Sequence, residues 1–150
     1  MGRSVCRGGV RAAPRGDAVN AKANYSQSRQ IVEAGLRTQP DNARLVSFLA
    51  LIEAALGERE LAMKEADRAI ELLPASKDAF DGPGLEEVKA NVLARLGKKD
   101  AAISVLQHLL ATPYGSNGPP ITPALLRLDA VWDNLRDDPR FQKLCQEPAK

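Results

Sequence analysis

Residues 57–74 read GERELAMKEADRAIELLP, and residues 97–113 read GKKDAAISVLQHLLATP. The two lines superimpose: Gly57 on Gly97, Ala62 on Ala102, Ala66 on Leu106, Ala69 on Leu109 and Ile70 on Leu110. Each begins on a glycine and ends on a proline. Between them the apolar residues recur three and four apart, the period of an amphipathic helix. Glycine is favoured where a preceding helix must end in a left-handed residue, and proline stops a following one. Each stretch therefore predicts a turn, a helix and a stop.

Working outward, the same grammar recurs. Residues 42–56 predict a helix with Leu45, Phe48, Leu49, Ile52 and Leu56 on one stripe, closed by Gly57. The helix over 59–73 places Ala62, Ala66, Ala69, Ile70 and Leu73 inward and stops at Pro74. Residues 81–84 (DGPG) predict a loop. A helix over 85–96 follows, with Leu85, Val88, Val92, Leu93 and Leu96 on its stripe. The last of the set, over 99–111, carries Ala102, Ile103, Leu106, Leu109 and Leu110 and closes at Pro113. Upstream, residues 25–37 predict one more helix through Ile31, Val32 and Leu36. Pro40 and Pro74 lie 34 residues apart.

A helix–turn–helix period of that length ending in proline resembles the tetratricopeptide repeat. Ala50, Gly57, Ala62, Ala69 and Pro74 fall at that repeat's small-residue, turn and terminal positions. Small residues are needed there because two helices approach closely only where their side chains are short. Glu53 stands where the repeat usually has a tyrosine, and Ala66 and Leu106 replace an aromatic. The resemblance covers residues 25–113. It implies an all-α, right-handed solenoid of antiparallel helix pairs, about two and a half repeats within residues 21–113. The helix at 25–37 reads as the second half of a pair.

Residues 114–147 read as a C-terminal cap. Thr122 with Pro123, and Asp138 with Pro139, each pair a capping side chain with a first-turn proline. Trp132, Leu135, Phe141 and Leu144 supply apolar faces to cover the last repeat, as stacked repeats require. Residues 120–144, PITPALLRLDAVWDNLRDDPRFQKL, also resemble the closing segment of bacterial multidomain signalling proteins. In those, a serine/threonine kinase, nucleotide cyclase or winged-helix domain precedes a tetratricopeptide array. Ala130 and Asn134 stand where proline is usual.

The rest of the sequence narrows the function. The 150 residues fit one domain that buries about 70% of its unfolded surface. Residues 1–20 predict a disordered leader: Arg3, Arg7, Arg11 and Arg15 lie among Gly8, Gly9 and Pro14. The net charge of +2 comes from this leader, so the remainder has no pull toward nucleic acid. No apolar run has the ~18 residues of a membrane span. Cys6 and Cys145 form neither a ligand set nor a disulfide framework, which predicts reduced thiols in a cytoplasmic protein.

The chemical candidates fare poorly. His108 is the sole histidine and is expected to point outward; Cys145 has no histidine placed to activate it. The glycines at 82–84 and 115–118 match no phosphate-binding pattern. No catalytic residue, cofactor or metal is expected. What remains is a non-catalytic scaffold for a protein or peptide partner. The resemblance places the first helix of each pair on the concave face, so Arg44, Ser47, Leu51, Glu87, Asn91 and Arg95 are expected to line a groove. Phe48 and Val88 stand where a carboxylate clamp for chaperone tails would need polar residues, so no such clamp is expected. The alternative is a C-terminal piece of a larger signalling protein without activity of its own, which would expose Ile31, Val32 and Leu36 and self-associate there.

Overall fold

The computed structural model describes residues 15–114 and 120–146, with side chains from Val19 onward. Five α-helices follow in turn: α1 (Arg15–Thr38), α2 (Ala43–Leu56), α3 (Arg59–Leu72), α4 (Gly82–Arg95) and α5 (Lys99–Ala111). The cap is built from α6 (Pro123–Leu128), a 3₁₀ helix (Ala130–Leu135) and α7 (Pro139–Leu144). All regular structure among the described residues is helical.

The two glycine turns are conformational copies. Gly57 has φ 84° and Gly97 has φ 74°. Gly57 N–H donates to Ala54 O at 3.2 Å, and Glu58 N–H to Glu53 O at 2.9 Å. Gly97 and Lys98 repeat the pattern on Ala94 and Leu93 at 3.1 and 2.9 Å. This paired 5→2 and 6→1 bonding satisfies the last carbonyls of α2 and α4 and needs a left-handed residue at the cap. A Cβ at either glycine would meet no atom within 4 Å, so an alanine there is opposed by backbone conformation alone. Gly57→Ala and Gly97→Ala are each expected to cost about 1–2 kcal/mol in urea unfolding. Their sum is expected in the double variant, because the sites share no partner.

Small residues let the helices close on each other. Ala50, Ala54, Ala62, Ala66, Val92 and Leu96 form one buried cluster where α2, α3 and α4 meet. The repeat equivalents of its four alanines, Ala90, Ala94, Ala102 and Leu106, are buried with Leu109 in a second cluster that includes Ile121, Leu126, Trp132, Leu135 and Phe141 of the cap. α2 packs against α1, α3 and α4, while α1 rests chiefly on α2. Both caps read from sequence form: Thr122 Oγ1 accepts from Leu125 N–H at 3.2 Å, and Asp138 Oδ1 from Arg140 N–H at 2.9 Å.

Four sequence expectations change. α1 begins at Arg15, within the expected leader and ahead of the helix predicted at 25–37, because no helix breaker follows Gly16 and alanine recurs through residues 18–23. Residues 1–14 of the expected leader, Cys6 among them, lie outside the described residues, as do residues 115–118. The DGPG segment is not a loop: Gly82, Pro83 and Gly84 form the first turn of α4, where a proline's missing N–H costs nothing. Phe48 is 52% exposed although it was placed on the buried stripe of α2. Val88 is only half-buried, and Ala90 and Ala94 take the inward positions of α4.

Candidate functional site

The face expected to hold a partner is partly assembled. Arg44, Phe48, Leu51 and Ala55 lie four, three and four residues apart, hence on one side of α2. Arg44 Nη2 donates to Asp81 Oδ1 at 2.9 Å, which ties α2 to the start of α4. On α4, Arg95 is exposed and its Nε donates to Asn91 Oδ1 at 2.8 Å. Glu87 is half-buried and accepts from the Tyr114 hydroxyl at 2.9 Å. Burial pushes the Glu87 carboxyl above its ordinary range, with the Tyr114 bond pulling the other way. The Tyr114 oxygen also accepts from Ile121 N–H at 3.0 Å, fastening the cap to the last pair. Burial pushes that phenol up to about 12.

Ser47 does not line this face. It is 3% exposed and its hydroxyl donates to Arg44 O at 2.8 Å. The cause is its register: Ala43, Ser47, Ala50 and Ala54 form the buried small-residue side of α2. A serine reads as surface by composition, yet its size fits it to the closely packed side. Leu51 and Asn91 are half-buried. Of the six predicted residues, Arg44 and Arg95 present the most surface.

Two exposed aromatic side chains outside the predicted set lie close along the chain to Arg44 or to its partner Asp81. Phe48 lies one helical turn from Arg44, and Phe80, 58% exposed, directly precedes Asp81. Phe80 sits on a fixed loop. Asp78 Oδ1 accepts from both Phe80 N–H and Asp81 N–H at 2.9 Å, and these bonds hold its carboxyl below the usual range. Two of the three phenylalanines of the chain are thus outside, flanking one ion pair. Aromatic and arginine side chains are the types that dominate binding interfaces. The signal available in sequence for Phe80 was its place in a breaker-rich loop.

A second polar cluster lies between α1 and the α2–α3 turn. Arg29 bonds Glu33 and Glu58 at 2.9 Å each and stands 3.6 Å from Glu53. Glu53 is 3% exposed and its Oε2 has no hydrogen-bond partner. Burial pushes it up to about 7; Arg29 opposes this, while Glu65, Glu58 and Glu33 add to it.

The remaining candidates are accounted for by packing. His108 points outward, 63% exposed, its Nε2 3.8 Å from Glu86. Cys145 is half-buried, and burial raises its thiol pKa despite nearby Arg127 and Arg136. Those arginines bordering it bond cap carbonyls: Arg127 that of Cys145, and Arg136 those of Arg127 and Asp129. Among the described residues, no three His, Cys, Asp or Glu side chains are grouped to hold a metal ion. No helix among them is long and apolar enough to cross a membrane.

The fold is all-helical among the described residues, with successive helices packed against each other as in a tetratricopeptide-like helical repeat. The chain is similar to the human tetratricopeptide repeat protein 7A, 29% identical over 89 residues, 59% of this chain and 10% of that protein. The chain therefore spans about a tenth of the relative's length. No family model matches the chain, and no solved structure does.

Proposed function

We propose that this chain is a non-catalytic scaffold that holds a protein or peptide partner on the face carrying Arg44, Phe48, Leu51, Asn91 and Arg95. The observation that carries this reading is the pair of exposed phenylalanines, Phe48 and Phe80, set beside the Arg44–Asp81 ion pair. A phenylalanine left in water at the junction of two elements gains roughly 1.5–3 kcal/mol when a partner covers it. The similarity to a tetratricopeptide repeat protein supports the same class of role. A pull-down comparing wild type with Arg44→Glu/Arg95→Glu and with Phe48→Ala tests it. Each variant is expected to lose at least tenfold in partner recovery while keeping its helical circular dichroism. An unchanged set of partners for all variants removes this face from consideration.

A second reading is that the chain is the C-terminal part of a larger bacterial signalling protein. Ile31 is 68% exposed on α1, whereas Val32 and Leu36 are half-buried, so only part of that helix's apolar set is open to self-association. The likeness of residues 120–144 to the ends of such proteins supports the same reading. The reading frame upstream of Met1 tests it: an in-frame kinase, cyclase or further repeats favours it, and an early stop excludes it.

A further inference from the structure

Glu53 is an ionisable group in a place built for a neutral one. Its carboxylate is buried, one oxygen lacks any hydrogen bond, and its counter-ion comes from a different helix. That counter-ion, Arg29, sits on α1, which rests chiefly on α2. Gly35 of α1 also lies close to Leu45 of α2, so near that a Cβ there would lie 3.1 Å from Leu45 Cδ1. α1 is therefore held to α2 by helix packing that includes this close approach and by one arginine shared among three carboxylates.

We propose that Glu53 and Arg29 form a proton-dependent latch, in which protonation of buried Glu53 tightens the docking of α1 on α2 and its ionisation loosens it.

The charges around Glu53 set the direction. From α1 it is faced by Arg29 and Glu33, from the α2–α3 turn by Glu58, and from α3 by Glu65. Glu65 is itself bonded to Arg68 at 3.3 Å, and Arg68 reaches Pro40 O at 2.7 Å. α4, the other helix packed on α2, contributes no charge among the groups acting on Glu53; its Lys89 is paired with Asp67 at 2.6 Å. Ionised Glu53 thus has one shared cation and three acids for company, on a side chain only 3% exposed. When α1 lifts away, Glu53 regains solvent and its pKa returns toward the ordinary 4.5 from about 7. The docked form then binds the proton more tightly than the undocked one. Docking is strongest below the lower value, weakens as pH rises toward the upper one, and is level above it. Between pH 5.5 and pH 8 this linkage lowers the docking constant by up to about 30-fold. Most of this change falls below pH 7, because docking is level above the upper value.

Amide hydrogen exchange reads the latch directly. Protection factors, corrected for intrinsic exchange, are measured at pH 5.5 and pH 8 for Val32, Gly35 and Leu36 in α1 and for Leu106 in α5. In wild type the α1 amides are expected to lose roughly 10- to 30-fold in protection at the higher pH, with Leu106 changing less than twofold. In Glu53→Gln, which keeps the shape and removes the titration, α1 protection is expected to be equal at both values. A carbon-13 titration of the Glu53 side-chain carboxyl supplies an independent check, with a midpoint near neutrality expected. Equal α1 protection at both pH values in wild type, a Glu53→Gln response matching wild type, or loss of protection in α5 together with α1 would each overturn the latch.

Discussion

Phe141→Ala is expected to lower the unfolding free energy by about 3–5 kcal/mol, the range for emptying a buried phenylalanine site. Phe141 is 1% exposed and belongs to the same buried cluster as Leu106, Leu126, Trp132 and Leu135. Those residues come from α5, α6 and the 3₁₀ helix, so this one ring helps fasten three elements. α6 and α7 are six residues each, too short to be stable helices alone. Their order depends on packing, and Phe141 is the buried side chain of α7. The effect should be local first. In a stack each unit contacts mainly its neighbours, and α1 and α2 make their principal contacts away from the cap. Trp132 is the sole tryptophan and is 4% exposed, so its emission reports the cap. In Phe141→Ala the emission is expected to shift to the red at a lower urea concentration than the loss of helical circular dichroism. A variant within 1 kcal/mol of wild type would mean that the cap is not held by this ring.

The repeat itself was legible because its signals are local. Gly57 and Gly97 had to mark left-handed turns, and each closes its helix with the same pair of hydrogen bonds. The alanines at 62, 66 and 69 had to face inward, since nothing else explains small residues at helical spacing. The candidate face was less legible, for a definite reason. An apolar stripe says which side of a helix avoids water when it has one neighbour. α2 has three, namely α1, α3 and α4. With so much of its surface covered, small Ser47 is enclosed, and large Phe48 is left at the remaining edge. Polarity misleads at both positions, and size in relation to neighbours decides. Glu53 illustrates the same point from the other side. A glutamate at a helix position reads as solvated face, yet the approach of α1 and α3 buries it.

Gly82→Ala is expected to cost about 2–3 kcal/mol, more than either glycine turn despite an ordinary backbone conformation at this position. The cause is steric. A Cβ at Gly82 would lie 2.6 Å from both the N and Cα of Ala75 and 2.9 Å from the Pro74 carbonyl carbon. All three are backbone atoms, so no side chain can swing aside. The chain approaches itself there because Pro74 ends α3 and the following loop turns back at once. Lys77 N–H and Asp78 N–H bond Pro74 O at 2.9 and 3.1 Å, and Gly82 N–H bonds Asp78 O at 2.9 Å. A methyl group must push the first turn of α4 off this loop. That turn is anchored by Asp81, the partner of Arg44, and follows Phe80. The substitution is therefore expected to do two things together. Urea unfolding should show the loss of stability, and the amide resonances of Phe80 and Asp81 should move more than those of α5. A partner held by the face built from Phe48, Phe80 and Arg44 should be weakened as well, even though Gly82 is buried and touches no partner. If Gly82→Ala binds like wild type while destabilised, the position of Phe80 does not matter to recognition, and the face narrows to the α2 and α4 side chains alone.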